Sequence, residues 1–291
     1  MVGRELKKFL PNAHYPTRSE LNLEDAYIVN SYMYENKFDY VIHLAAHVGS
    51  LHDNIKNSTK YFDRNVLMNT ILTKASYESG VKNFLGILST CIYPDDASNF
   101  PIKIDSLHDG KPHKDLMSYA YAKRSHAVQL DEYKKSFNVN YNYLIPCNMY
   151  GDVQHIGRSH FINDLVYKVF KAKKAKESFI TLFGDGTPLR QFMHGRDFAK
   201  IIYLYLKNSV NKSLNVAPDI NMSVHNMAKT ALKVLDFEDC KINYDDSLPN
   251  GQHRKDVSSA EVASLFPDFE FTKLEDGMLE IYKNLKWKKQ Y

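Results

Sequence analysis

Tyr40-Val41-Ile42-His43-Leu44-Ala45-Ala46 is a short apolar run that leads into a turn at Gly49. An apolar run of this length, bounded by a turn signal, predicts a buried strand. Two more such runs follow, Asn83-Phe84-Leu85-Gly86-Ile87-Leu88-Ser89 and Asn140-Tyr141-Asn142-Tyr143-Leu144-Ile145-Pro146. Between them, the stretches near 59–79 and 118–137 have helical character. Strands that alternate with helices imply right-handed βαβ units on a parallel sheet covered on both faces. The fold class is therefore α/β, and the ends of the strands are where a ligand site is expected.

Beyond Gly151 the alternation loosens. Ser159 to Ala175 reads as a helix ending in a basic cluster, Lys168, Lys171, Lys173, Lys174 and Lys176, whose plain reading is a solvated face. A glycine-rich turn follows, Phe183-Gly184-Asp185-Gly186-Thr187-Pro188. Asp197 to Leu206 predicts a helix and Leu214-Asn215-Val216 a short strand. The rest of the chain alternates short helical and extended pieces, as a smaller lobe closing over a substrate would.

Composition excludes several classes. The chain has 291 residues, 44% of them hydrophobic, enough for one large domain or two intimately joined ones. A formal charge of +4 gives no footprint for nucleic acid but suits anionic ligands. The three cysteines, Cys91, Cys147 and Cys240, have no metal-like spacing, so no metal site and a reducing compartment are expected. No apolar run approaches the length of a membrane span.

The strongest chemical signal is Ser89-Thr90-Cys91-Ile92-Tyr93-Pro94 at a strand end, followed by Tyr119-Ala120-Tyr121-Ala122-Lys123 in a helix. A tyrosine and a lysine four apart share one helical face. A nearby ammonium would favour the phenolate, so Tyr119 could exchange a proton with a substrate oxygen near neutral pH. Ser89 would add a hydrogen bond to the same oxygen. Tyr121, two residues before Lys123, falls on another face. Alone, such a pair is more readily a chance surface pair; its place after a strand ending in Ser-Thr, inside an alternating α/β pattern, favours the chemical reading. Cys91 by itself is more often a small buried apolar residue.

The segments Leu44 to Gly49, Ser89 to Pro94, Tyr119 to Lys123, Pro146-Cys147-Asn148-Met149-Tyr150-Gly151 and Phe183 to Phe192 together resemble the GDP-L-fucose synthases of the extended short-chain dehydrogenase/reductase superfamily. The resemblance spans nearly the whole chain and implies a Rossmann-like doubly wound sheet with a C-terminal α/β substrate lobe. It implies an NADP-binding domain over 1–151 with contributions from about 187–217, and a lobe from 152–186 and 218–291. The activity implied is NADPH-dependent epimerisation at C3 and C5 and reduction at C4 of GDP-4-keto-6-deoxy-D-mannose. The C4 ketone acidifies the protons on C3 and C5. Cys91 then matches the base that removes one, and His160 the acid that returns one. Tyr119 would protonate the C4 oxygen during reduction, with Ser89 and Lys123 beside it.

The same resemblance assigns NADP(H) contacts to Gly3, Arg18, Asn22, Leu23, Ala45, Ala46, Ser89, Tyr119, Lys123, Pro146, Asn148, Met149 and His160. Arg18 matches the cation near the adenosine 2′-phosphate. Lys168, Phe183, Arg190, Asn250 and Lys255 match positions that meet the GDP-linked deoxyhexose, with Asn250 replacing an aspartate. A cytoplasmic homodimer, paired through the helices near 59–79 and 118–137, is also implied.

One departure stands out. The family opens on a buried strand and a G-x-x-G-x-x-G turn, whereas Met1-Val2-Gly3-Arg4-Glu5-Leu6 aligns only with the end of that motif. The expectation is a truncated form of a longer protein, with weak NADP(H) binding as written and two strands left with open edges. Two other readings stand beside the leading one. The first is another nucleotide-sugar epimerase or reductase of the same fold. The second is a non-catalytic relative that binds a nucleotide sugar or a partner protein.

Overall fold

The computed structural model describes residues 1–151, 161–247 and 250–287. Helices α1 (Val2–Phe9) and α2 (Ala26–Asn36) precede strand β1 (Tyr40–His43). Then come α3 (Leu51–Lys56), α4 (Ser58–Glu78), β2 (Asn83–Ile87), α5 (Met117–Phe137), β3 (Asn140–Pro146) and β4 (Asn148–Tyr150). The second half holds α6 (Phe161–Ala175), β5 (Phe179–Phe183), β6 (Leu189–Arg190), β7 (Phe192–His194), α7 (Gly195–Lys207) and β8 (Leu214–Val216). It continues through β9 (Met222–Ser223), α8 (Val224–Val234), β10 (Lys241–Asp245), α9 (Ala260–Leu265) and α10 (Leu274–Trp287).

The main sheet is parallel, in the order β1-β2-β3-β8, with Tyr40 opposite Asn83, Asn83 opposite Asn140 and Leu144 opposite Leu214. The three apolar runs are its first three strands. Phe84, Leu85, Tyr141, Leu144 and Ile145 are fully buried, as strands covered on both faces must be. Asn142 is the polar exception within β3, and its amide is satisfied by Lys134 at 2.7 Å and Asn211 at 2.8 Å.

Helices α4 and α5 pack together over the sheet, and buried polar pairs set their register. His43 Nε2 lies 2.9 Å from Asn69 Oδ1, the Asn69 amide donates to the Ala122 carbonyl, and Thr73 meets His126 at 3.2 Å. Burial holds His43 neutral, with its pKa pulled down to about 3.

A second core lies beyond β4, where α6, α8 and α10 pack Ile162, Val166, Ala228, Ala231 and Met278 over the parallel pair β5–β10. The chain between the two cores does not divide cleanly. Val257, Val262 and Phe266 return to the first core, so residues near 257–266 cross back over the main sheet.

Among the described strands β1 pairs with β2 alone, and its other side faces a cavity of about 800 Å³. Residues 39–46 line that cavity in sequence, opposite Leu6, Leu21, Met33 and Phe38. The apolar run was read as strand through Ala46, but the ladder stops at His43, because a one-sided strand has fewer partners to hold its last residues extended. Gly3 lies in the first turn of α1 and lines the same cavity, and a Cβ there would meet Leu44 at an ordinary 3.7 Å.

Gly86, in the middle of β2, is fixed by packing. A Cβ there would come 2.7 Å from Leu130 Cδ1 and 2.9 Å from His126 Cε1. Gly86→Ala is expected to cost about 1–3 kcal/mol by overpacking. The check is a lower urea midpoint at an unchanged slope.

Candidate active site

Each strand of the main sheet delivers its C-terminal end to the same rim. After β2 the chain turns at Ser89 into a single 3₁₀ turn, Thr90–Ile92, that buries Cys91. Two side chains hold this turn from outside. Buried Arg124 of α5 donates to the Ile92 carbonyl and, at 2.7 Å, to the Gly110 carbonyl. Buried Gln252 donates to the Pro94 carbonyl at 3.2 Å.

Lys123 is buried in α5 and its ammonium donates to the Ile87 carbonyl at 2.8 Å, tying the helix to the end of β2. One turn earlier, Tyr119 lies half-buried against Tyr61, ring centroids 6.5 Å apart. Tyr121 faces outward, with the Arg124 guanidinium over its ring. The expected lowering of the Tyr119 pKa by Lys123 is not found. Burial pushes the phenol up, and Cys91 and Tyr61 push it further. The reason is burial, which disfavours the phenolate; the Lys123 ammonium is directed at the Ile87 carbonyl. Burial also brings the Lys123 pKa down to about 8.

Burial raises the Cys91 thiol as well. The largest opposing influence is Lys255, followed by the Ser89 hydroxyl and Lys123. Lys255 reaches Cys91 on a segment strapped across the sheet. Gln191 exchanges hydrogen bonds with both backbone groups of Val257, at 2.9 and 3.2 Å, and the Ile102 amide donates to Asp256 O at 2.8 Å. Although Lys255 keeps some exposed surface, its ammonium lies deep enough that burial, with Arg190 adding repulsion, lowers its pKa to about 8. Arg190, lowered to about 10 by burial, donates to the Leu189 and His253 carbonyls.

The remaining assigned residues fall into groups. Gly3, Arg18, Asn22, Leu23, Ala45 and Ala46 line the one cavity beside β1. Pro146 ends β3 and Asn148 and Met149 begin β4, and the Asn148 amide donates to the Gln191 carbonyl at 3.1 Å. Lys168 bonds the Thr181 carbonyl and sits over the exposed ring of Phe183, 5.3 Å from its centroid. Asn250 accepts from the Asp185 amide at 2.9 Å and braces the turn at Gly184, whose φ of +74° suits glycine. His160 lies outside the described residues. Sequence reasoning missed Gln191, Gln252, Arg124 and Tyr61. They stood in segments already singled out, but nothing local marks their roles.

Residues 4–217 match the NAD dependent epimerase/dehydratase family. The chain belongs to that family. Among the family's curated members, the GDP-L-fucose synthase of Dictyostelium discoideum is 31% identical over 292 residues, covering 96% of this chain and 90% of the relative. A probable GDP-L-fucose synthase of Drosophila melanogaster is 34% identical over 259 residues, covering 85% and 79%. A GDP-L-fucose synthetase of Naegleria fowleri, solved bound to NADP, superposes with a TM-score of 0.85 at 26% identity, over 99% of this chain and 90% of that one. The family's α/β fold and parallel sheet are the ones described above.

The Lys255 strap makes a prediction. Lys255→Met removes the cation that most favours the Cys91 thiolate, so the pH midpoint for alkylation of Cys91, read by peptide mass spectrometry, shifts upward. An unchanged midpoint means that Lys255 does not act on the thiol.

Proposed function

We propose that this chain is an NADPH-dependent enzyme that epimerises GDP-4-keto-6-deoxy-D-mannose at C3 and C5 and reduces it at C4, giving GDP-L-fucose. The observation that carries the reading is the shared electrostatic neighbourhood of Cys91, Ser89, Tyr119, Lys123 and Lys255 at the joined ends of β2 and α5. A plain reductase needs no thiol there. A binding protein needs none of these groups.

Cys91 takes the proton from the carbon next to the ketone, with Lys255 and Ser89 stabilising the thiolate. His160 returns a proton on the other face. Tyr119 then protonates the C4 oxygen, and a phenol kept neutral by burial is in the form that can donate. NADPH supplies the hydride. The cavity beside β1 fits that cofactor, because it brings together Arg18, Asn22, Leu23, Ala45 and Ala46. Arg190 and Lys255, two cations side by side, suit the diphosphate of the GDP-sugar, with Lys168, Phe183 and Asn250 further along the lobe. In this reading residues 1–151 with 187–217 hold the cofactor, and 152–186 with 218–291 close on the substrate.

The working form is a homodimer in the cytoplasm. Its support is the exposed apolar surface on the α4–α5 pair, Phe62 and Leu67 on α4 with Met117, Tyr121 and Val128 on α5. Among the described residues no helix is long and apolar enough to cross a membrane.

Two measurements check these statements. Cys91→Ser should keep its fold but lose deuterium exchange from solvent into substrate C3 and C5, because a hydroxyl is too weak an acid to replace the thiolate. Exchange at the unaltered rate would remove Cys91 as the base. Sedimentation at micromolar concentration should give a dimer that Val128→Glu dissociates; a monomeric parent chain contradicts the pairing.

A further inference from the structure

The loop between α1 and α2 carries Arg18 to the mouth of the cavity beside β1, and Glu24 lines the same mouth. A single oxygen of Glu24, Oε1, accepts three hydrogen bonds. They come from Arg18 Nη2 at 3.0 Å and from Arg64 Nε and Nη2 at 2.9 and 2.7 Å. Arg64 belongs to α4 and does not line the cavity; its Nη1 also lies 3.5 Å from His47 Nδ1, just past the end of β1. Glu24 Oε2 has no partner among the described residues. The Glu24 side chain is 22% exposed, against 67% for Arg18.

The 2′ position of an adenosine ribose carries either a phosphate or a hydroxyl. An arginine favours the first and a carboxylate the second, which it binds by accepting the hydroxyl proton. Here both stand within one hydrogen bond of each other. A phosphate approaching Arg18 meets the charge of Glu24, whereas a hydroxyl finds its free oxygen. We infer that Glu24 tempers this chain's preference for a 2′-phosphorylated cofactor, and that Arg64 is the positioning residue that restrains it. Resting on the cofactor reading above, the inference adds the residue that sets cofactor choice. Without Arg64 the carboxylate pairs with Arg18 alone and blocks the phosphate more fully.

The test uses the full chain and two fragments that do not need the pyrophosphate turn, adenosine 2′,5′-bisphosphate and adenosine 5′-monophosphate, titrated calorimetrically. Glu24→Gln should raise the affinity ratio of bisphosphate to monophosphate about fivefold, the size of one partly screened charge interaction. Arg64→Gln should lower the ratio. These opposite shifts separate discrimination from mere loop support, which would weaken both fragments alike. If Glu24→Gln does not fold, a ratio that falls in Arg64→Gln still supports the inference, and one that stays or rises overturns it. A parent chain that binds both fragments with a ratio unmoved by Glu24→Gln rejects this inference alone. A parent chain that binds neither rejects the cofactor reading and the inference with it.

Discussion

The buried ammonium of Lys123, donating to the Ile87 carbonyl, fixes the relation between the two elements that hold the proposed catalytic groups. It fastens α5 to the last residue of β2, so that Tyr119 is held one helical turn from the chain that delivers Ser89 and Cys91. A buried cation is costly unless hydrogen-bonded, and here the bond is to a backbone carbonyl that cannot move without the sheet. Arg124 makes a similar tie one residue further along the helix, to the Ile92 carbonyl. The tyrosine, the serine and the cysteine are therefore placed by two cations that stabilise the join between sheet and helix.

The substrate side depends on a different constraint. Lys255 comes from far along the chain and is aimed by amide side chains, Gln191 on Val257 and Gln252 on Pro94. The strap crosses from the second core back to the first, carrying a cation of one core beside the cysteine of the other.

Much of the fold was legible because its first three strands are largely apolar runs that alternate with long stretches of helical character. The Ser-Thr-Cys turn and the Tyr119–Lys123 spacing were legible for the same reason, as local patterns. What could not be read were contacts between distant residues. Gln252 and Pro94 are 158 positions apart, and Gln191 and Val257 are 66 apart. Spacing alone placed Lys123 on the same helical face as Tyr119 but could not show how deeply the phenol is buried, so the direction of the tyrosine's shift was misjudged. Position alone also did not show that the Asn250 side-chain oxygen accepts from the Asp185 amide and braces the turn at Gly184. The partial glycine motif at the N-terminus proved to be helix, and the open side of β1 beyond it is a lined cavity.

The central claim is that one site both exchanges carbon-bound protons and reduces the ketone. It is tested most directly by turning over GDP-4-keto-6-deoxy-D-mannose in deuterated water with unlabelled NADPH and reading the product by NMR. The account predicts GDP-L-fucose carrying deuterium at C3 and C5 and protium at C4. A C4-reduced sugar with protium retained at both C3 and C5 would contradict it.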